Sequence, residues 1–176
     1  MFACDIAVRH RLALLWAMPS SPRGASMQSI ENLFRVVDKS QLWRSRQPAG
    51  AENIQEAERA LGVSFPPSYR AFLALYGAIS VGDRCISGIV DNSPLEGGGS
   101  VVFDTLALRK QWHLPEYYVV IQPDDDDFAP YCLDTRSPDG AGEAPVVCFE
   151  LQTSHVKTIG ASFLDWVDNW YVKTVV

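Results

Sequence analysis

Apolar positions recur along this chain first at helical and then at extended spacing. Ile30, Leu33, Phe34 and Val37 fall at i, i+3, i+4 and i+7, the stripe that lets one helix face lie on a core. Ser40 to Gly50, ending Gln47-Pro48-Ala49-Gly50, breaks that pattern. Ile54, Ala57 and Leu61 make a second, shorter stripe; Gly62 then stands where a chain leaving a helix enters the left-handed region, and Val63 is placed to pack back on the last turn. Pro67 suits a first helical position, where its missing N–H costs nothing. Tyr69, Phe72, Leu73 and Tyr76 follow as the best helical stripe in the chain, closed by Gly77. Two apolar helices meeting at a Pro-Pro bend cannot both face water, so they must pack on a sheet or on one another.

Beyond Gly77 the period becomes extended. Short runs rich in Val, Ile, Tyr and Phe predict strands over Cys85 to Val90, Val101 to Phe103, Tyr117 to Ile121, Pro130 to Leu133, Val146 to Phe149 and Val156 to Ile159. Asp104 to Trp112 reads as the one helix among them, capped by Asp104 or Thr105, with Pro115 past its end. The hairpin-like spacing of the later strands argues for a largely antiparallel sheet. Ser162 with Asp165 resembles a capping box, and Phe163, Trp166, Val167 and Trp170 form the buried stripe of a last helix.

Composition adds one bound and one direction. A chain of 176 residues that is 47% hydrophobic and 20% charged has the make-up of a single packed domain. Its net charge of −6 is locally concentrated. Between Gln122 and Ala144 stand Asp124, Asp125, Asp126, Asp127, Asp134, Asp139 and Glu143 against Arg136 alone. Nucleic acid is a poor partner for such a face, because phosphate binding needs clustered Lys or Arg. A basic protein surface suits it better.

The head of the chain imitates a signal peptide, with Arg9-His10-Arg11 before the apolar Leu12 to Met18, but that run is at the short limit and Asp5 sits where positive charge belongs. It is far too short to span a membrane. Residues 1–26 are therefore expected to be a poorly ordered extension or a misplaced start, ahead of one domain over 27–176. Cys4, Cys85, Cys132 and Cys148 contain no C-x-x-C pair and have no His at ligand spacing, which excludes zinc and thioredoxin-like readings. Free thiols in apolar strands fit a reduced, cytoplasmic setting.

Candidate chemistry is sparse. Asp124 to Asp127 admits three readings, a solvated turn, a protein-contacting acidic patch or a metal site; contiguous acids in extended chain point alternately to opposite sides, unlike the alternating acids of calcium loops. Gly97-Gly98-Gly99-Ser100 is expected to be a flexible hairpin connection, since no Lys follows and the next run reads as a strand. His10, His113 and His155 are scattered, and no nucleophile motif stands near them. Asp134 and Glu143 are available as a carboxylate pair but sequence does not bring them together. Trp43 and Trp112 lie at element edges, where aromatic anchors of an interface are placed. The expected partner-binding set is Asp124, Asp125, Asp126, Asp127, Glu143, Trp112 and Trp43, with no catalytic residue, no metal and no cofactor.

The run Leu61-Gly62-x-x-Phe65-Pro66-x-x-Tyr69-Arg70-x-Phe72-Leu73-x-x-Tyr76-Gly77, then Gly88-Ile89, Tyr131-Cys132-Leu133-Asp134-Thr135, Gly142-Glu143-x-Pro145-Val146-Val147 and Ser162-Phe163-x-x-Trp166 resembles the SUKH superfamily, whose Smi/Knr branch includes fungal cell-wall regulators. The resemblance covers about Met27 to Tyr171. It implies an α+β fold in which a single, mainly antiparallel sheet packs against N-terminal and C-terminal helices. It also implies a non-catalytic protein-binding role: in bacteria an immunity protein that neutralises a toxin, often a nuclease, by binding it. The alternative is a regulatory or scaffolding module; an enzyme using carboxylates, with or without a metal, is a third class. One departure is the four aspartates followed by Phe128-Ala129-Pro130, where family members commonly carry Gly-containing acidic turns.

Overall fold

The computed structural model describes residues 42–81, 84–95, 97–123 and 128–171. The stripe from Ile30 to Val37, the aspartates 124–127 and the side chains of Trp43 and Trp170 lie outside the described residues.

Helix α1 (Ala51–Leu61) buries Ile54, Ala57 and Leu61, the stripe read from the sequence. Its start has no side-chain cap of its own; Asn92 Oδ1, from a distant loop, accepts the Gly50 N–H at 2.8 Å. Its end is a left-handed Gly62 (φ 71°) whose N–H bonds to Arg59 O, while the Val63 N–H bonds to Glu58 O at 3.1 Å. Those two bonds satisfy carbonyls that the helix end would otherwise leave open. Glu58 then ties the bend: its carboxylate accepts the Phe65 N–H at 2.7 Å and pairs with Arg70 at 2.6 Å. Pro67 opens α2 (Pro67–Tyr76), which buries Tyr69, Phe72 and Leu73 completely.

The strands form two antiparallel sheets. β1 (Leu42–Arg44), β2 (Ile79–Val81) and β3 (Arg84–Ile86) make the smaller, in that order; β4 (Tyr118–Gln122), β5 (Tyr131–Asp134), β6 (Val146–Phe149) and β7 (Val156–Gly160) make the larger, also in sequence order. Just past β3 the Ser87 N–H donates to Ile121 O at 2.8 Å, so the two sheets meet edge to edge at β3 and β4. The antiparallel layer expected from the later strands is thus divided in two, and the fold is α+β with helices flanking the larger sheet.

Val101 to Phe103 is not a strand. α3 (Val101–Trp112) begins there, and Ser100, not Asp104 or Thr105, is its cap, the Ser100 Oγ accepting the Phe103 N–H. The β-branched run reads as extended by propensity, but Val101 and Val102 are buried in the core, and tertiary burial outweighs propensity over so short a run. Gly97 to Gly99 therefore feeds a helix rather than joining a hairpin. That helix covers the outer edge of β4: Thr105 Oγ1 accepts the Val120 N–H at 3.0 Å, which leaves less of the strand edge open for another chain.

Both faces of β4, β5 and β6 are largely buried, while β7 is mostly exposed. On one face Val119, Ile121, Leu133 and Val146 pack with α1, α2 and the last helix, α4 (Phe163–Trp166), which continues as a π-helical turn over Val167–Tyr171. Tyr69 and Phe72 stack there with ring centres 5.8 Å apart, and Phe163 meets Tyr69 edge-on at 5.1 Å and Phe72 at a tilt at 5.2 Å. On the other face Tyr118, Val120, Cys132, Val147 and Phe149 pack with Leu114, Leu151 and the half-buried Trp112. Half of the expected capping box is present, Ser162 Oγ accepting the Asp165 N–H, while Asp165 Oδ2 reaches one residue further back to accept the Ala161 N–H.

Candidate functional site

A groove of about 750 Å³ lies beside the helical bend. Three segments form it: Gly62 to Pro67 between α1 and α2, Glu116 and Tyr117 ahead of β4, and Thr135 to Ala144 between β5 and β6. Each wall is fixed by bonds that the sequence does not announce. The Thr135 N–H and Oγ1–H both donate to Tyr117 O, at 3.0 and 2.8 Å, which locks two walls together. Asp139 Oδ1 accepts the N–H groups of Ala141 and Glu143, and Gly142 takes the positive φ of 82° that this turn needs.

Arg109 holds the groove from beneath. Its Nη1 donates to Leu61 O, the last carbonyl of α1, at 2.9 Å, and its Nη2 donates to Glu116 O and Tyr118 O. One guanidinium thus joins the bend to the segment that enters β4, using the planar fork that a lysine lacks. Burial draws the Arg109 pKa down from its ordinary value, with Glu116 opposing that shift.

At the mouth, Arg136 forms a two-bond pair with Asp134, Nε to Oδ1 at 3.0 Å and Nη2 to Oδ2 at 2.6 Å. Its guanidinium also lies over the Tyr117 ring, 4.3 Å from the centre. Burial works against ionisation of Asp134, but the hydrogen bonds and charge of Arg136 outweigh it, and the carboxyl is held below its ordinary value.

The expected binding residues fall in different places. Glu143 lies on the groove's loop, and its carboxylate accepts both the Ser68 N–H, at 2.9 Å, and the Ser68 hydroxyl, which caps the start of α2. It is not paired with Asp134, which is taken by Arg136. Trp112 closes α3 on the second core cluster, its ring 5.4 Å from that of Phe128. Trp43 sits in β1 opposite Ser80. Asp124 to Asp127 lie outside the described residues. Gln122 pairs with Tyr131 at one end of the β4–β5 hairpin and Tyr118 with Asp134 at the other, and Glu143 lies on the loop that follows Asp134.

Cys132 stands beside Val147 and Cys148 beside Tyr131, so the two thiols point to opposite faces of the sheet and form no disulfide. Burial pushes the Cys132 thiol far above its ordinary pKa. Among the described residues no cluster of three or more His, Cys, Asp or Glu is placed to hold a metal ion. Also among them, no helix is long and apolar enough to cross a membrane. The start of α3 after Gly97 to Gly99, which sequence reading did not foresee, turns its own groups inward: Ser100 Oγ–H donates to Pro94 O, and the Val101 N–H donates to Gly88 O.

An α+β domain of two antiparallel sheets flanked by helices, with a groove at the Gly62 to Pro67 bend, is the class these observations define. The model of the SUKH_5 family, described as SMI1-KNR4 cell-wall, matches residues 27–172. The chain belongs to that family.

Proposed function

We propose that this chain is a non-catalytic protein-binding domain, acting as a bacterial immunity protein that neutralises a cognate toxin, of nuclease type, by covering part of its surface. The observation that carries this reading is how the polar groups around the groove are committed. Glu143, Asp139, Asp134 and Arg109 are each engaged in holding a helix end or a loop. What the surface offers a partner is fixed shape, apolar rings and negative charge, the ingredients of complementarity and of fast association.

A second reading, a regulatory or scaffolding module, is favoured by the family's description, which names cell-wall proteins. Co-purification with the product of the adjacent gene separates the two. A one-to-one complex that abolishes that product's toxicity supports immunity. A toxin that stays fully active beside excess chain contradicts it.

A further inference from the structure

The groove does not end at the bend. A second concavity of about 480 Å³ shares Gly62, Val63 and Ser64 with it and runs on along Gln55, Glu58 and Arg59 of α1. A trough of that length, open along its side, suits an extended chain better than a compact small molecule. Its floor is apolar: Phe65 and Pro66 are buried beneath it, and half-buried Val63 and Tyr117 face it.

The charges around it are unevenly answered. Asp134 is paired with Arg136, and Glu58 with Arg70. Half-buried Arg109 offsets part of Glu116, and Arg59 lies at the far end with its Nε on Gln55 O. Among the described residues, Asp139 and Glu143 accept hydrogen bonds from uncharged N–H and O–H donors, which steady a carboxylate without cancelling its charge. Five acids thus stand against four arginines; Glu116 lines the groove itself, and Asp139 and Glu143 stand on the loop that supplies its Pro138, Gly142 and Ala144 lining.

We propose that this trough is the docking surface for an extended, basic segment of the partner protein, with a Lys or Arg seated near Glu116 and an apolar or proline residue beside the Tyr117 ring. The assignment rests on the protein-binding reading above and narrows it to one surface. Aromatic-lined grooves recognise proline-rich extended chain because proline already holds it near the bound form, which leaves less conformational entropy to lose.

The test uses the full chain, isotopically labelled, titrated with a synthetic acetyl-(Lys-Pro-Leu)₃-amide and with its Glu-for-Lys counterpart. Amide shifts confined to Gly62–Ser64, Glu116–Tyr117 and Gly140–Ala144, for the Lys peptide alone, support the proposal. E116K and S64W, at exposed positions, should each weaken that binding about tenfold with an unchanged thermal midpoint. Absence of shifts at millimolar peptide, equal binding of the Glu peptide, or shifts centred on β7 or on Phe103 and Leu106 of α3 would overturn it. The same variants are then tried against the adjacent gene's product. Capture that both variants leave intact refutes the trough while the binding reading stands; failure of the wild-type chain to capture anything refutes the reading itself.

Discussion

Glu143 grips Ser68 across 75 positions of sequence, one carboxylate oxygen on the backbone N–H and the other on the hydroxyl. The contact places a negative charge at the first turn of α2, where the helix dipole and open N–H groups favour it. Replacing Glu143 with Ala should cost about 1 to 2 kcal/mol of stability, measured by urea unfolding. Gln should recover part of that loss by keeping an acceptor oxygen. An alanine variant as stable as wild type would show that the cap contributes nothing.

Arg109 bonds to carbonyls of two separate segments, so its removal strands them together. Arg109→Met keeps the bulk but loses the donors and should destabilise by about 2 kcal/mol or more. Arg109→Lys should rescue only partly, since a point-like ammonium cannot span Leu61 O and Glu116 O at once. Full rescue by Lys would contradict the fork geometry.

Backbones cross closely where Gly88 passes Gly77: a Cβ on Gly88 would stand 1.9 Å from Gly77 O. The crossing also carries the Ile89 N–H to Gly77 O bond at 2.8 Å. Gly88→Ala should therefore cost about 3 kcal/mol or more by forcing the two chains apart. A thermal midpoint within a degree of wild type would refute the packing described.

The Asp134 carboxyl is depressed below its ordinary value of 3.8 by Arg136, against the opposing pull of burial. A group lowered on folding adds stability that is present above 3.8 and lost as pH falls through its folded value. Asp134→Asn should thus be less stable than wild type at neutral pH, with the gap closing in strong acid. Urea midpoints from neutral pH into strong acid read this directly, and a gap that widens on acidification has the wrong sign.

Replacing Asp124 to Asp127 with Asn should slow association with a basic partner and flatten its dependence on salt, leaving dissociation largely unaltered. Stopped-flow kinetics over a salt series is the measurement. Unchanged association would remove the acidic run from the mechanism.

Local signals were the legible ones. Gly62 ending α1, Pro67 opening α2 and Ser162 capping α4 each act within a turn of the chain, so sequence alone exposes them. Val101 to Phe103 misled because three apolar β-branched or aromatic residues read as a strand, whereas burial of Val101 and Val102 against the core makes a helix start there and leaves Phe103 exposed. β1 and β2 are three residues each, too short to show alternation. The groove was hidden for another reason: Arg109 reaches Leu61 across 48 positions, and no local pattern encodes a bond of that span. Glu143 was visible as an acid, but its attachment to Ser68 depends on how the β5–β6 loop meets α2.

The most direct measurement titrates the proposed toxin, sought as the adjacent gene's product, with this chain and follows that product's activity. The account predicts a linear fall that reaches zero at one equivalent, with both proteins recovered intact from the complex. Silencing by a small fraction of an equivalent, or a chemically altered toxin after the chain is removed, would show turnover and contradict it.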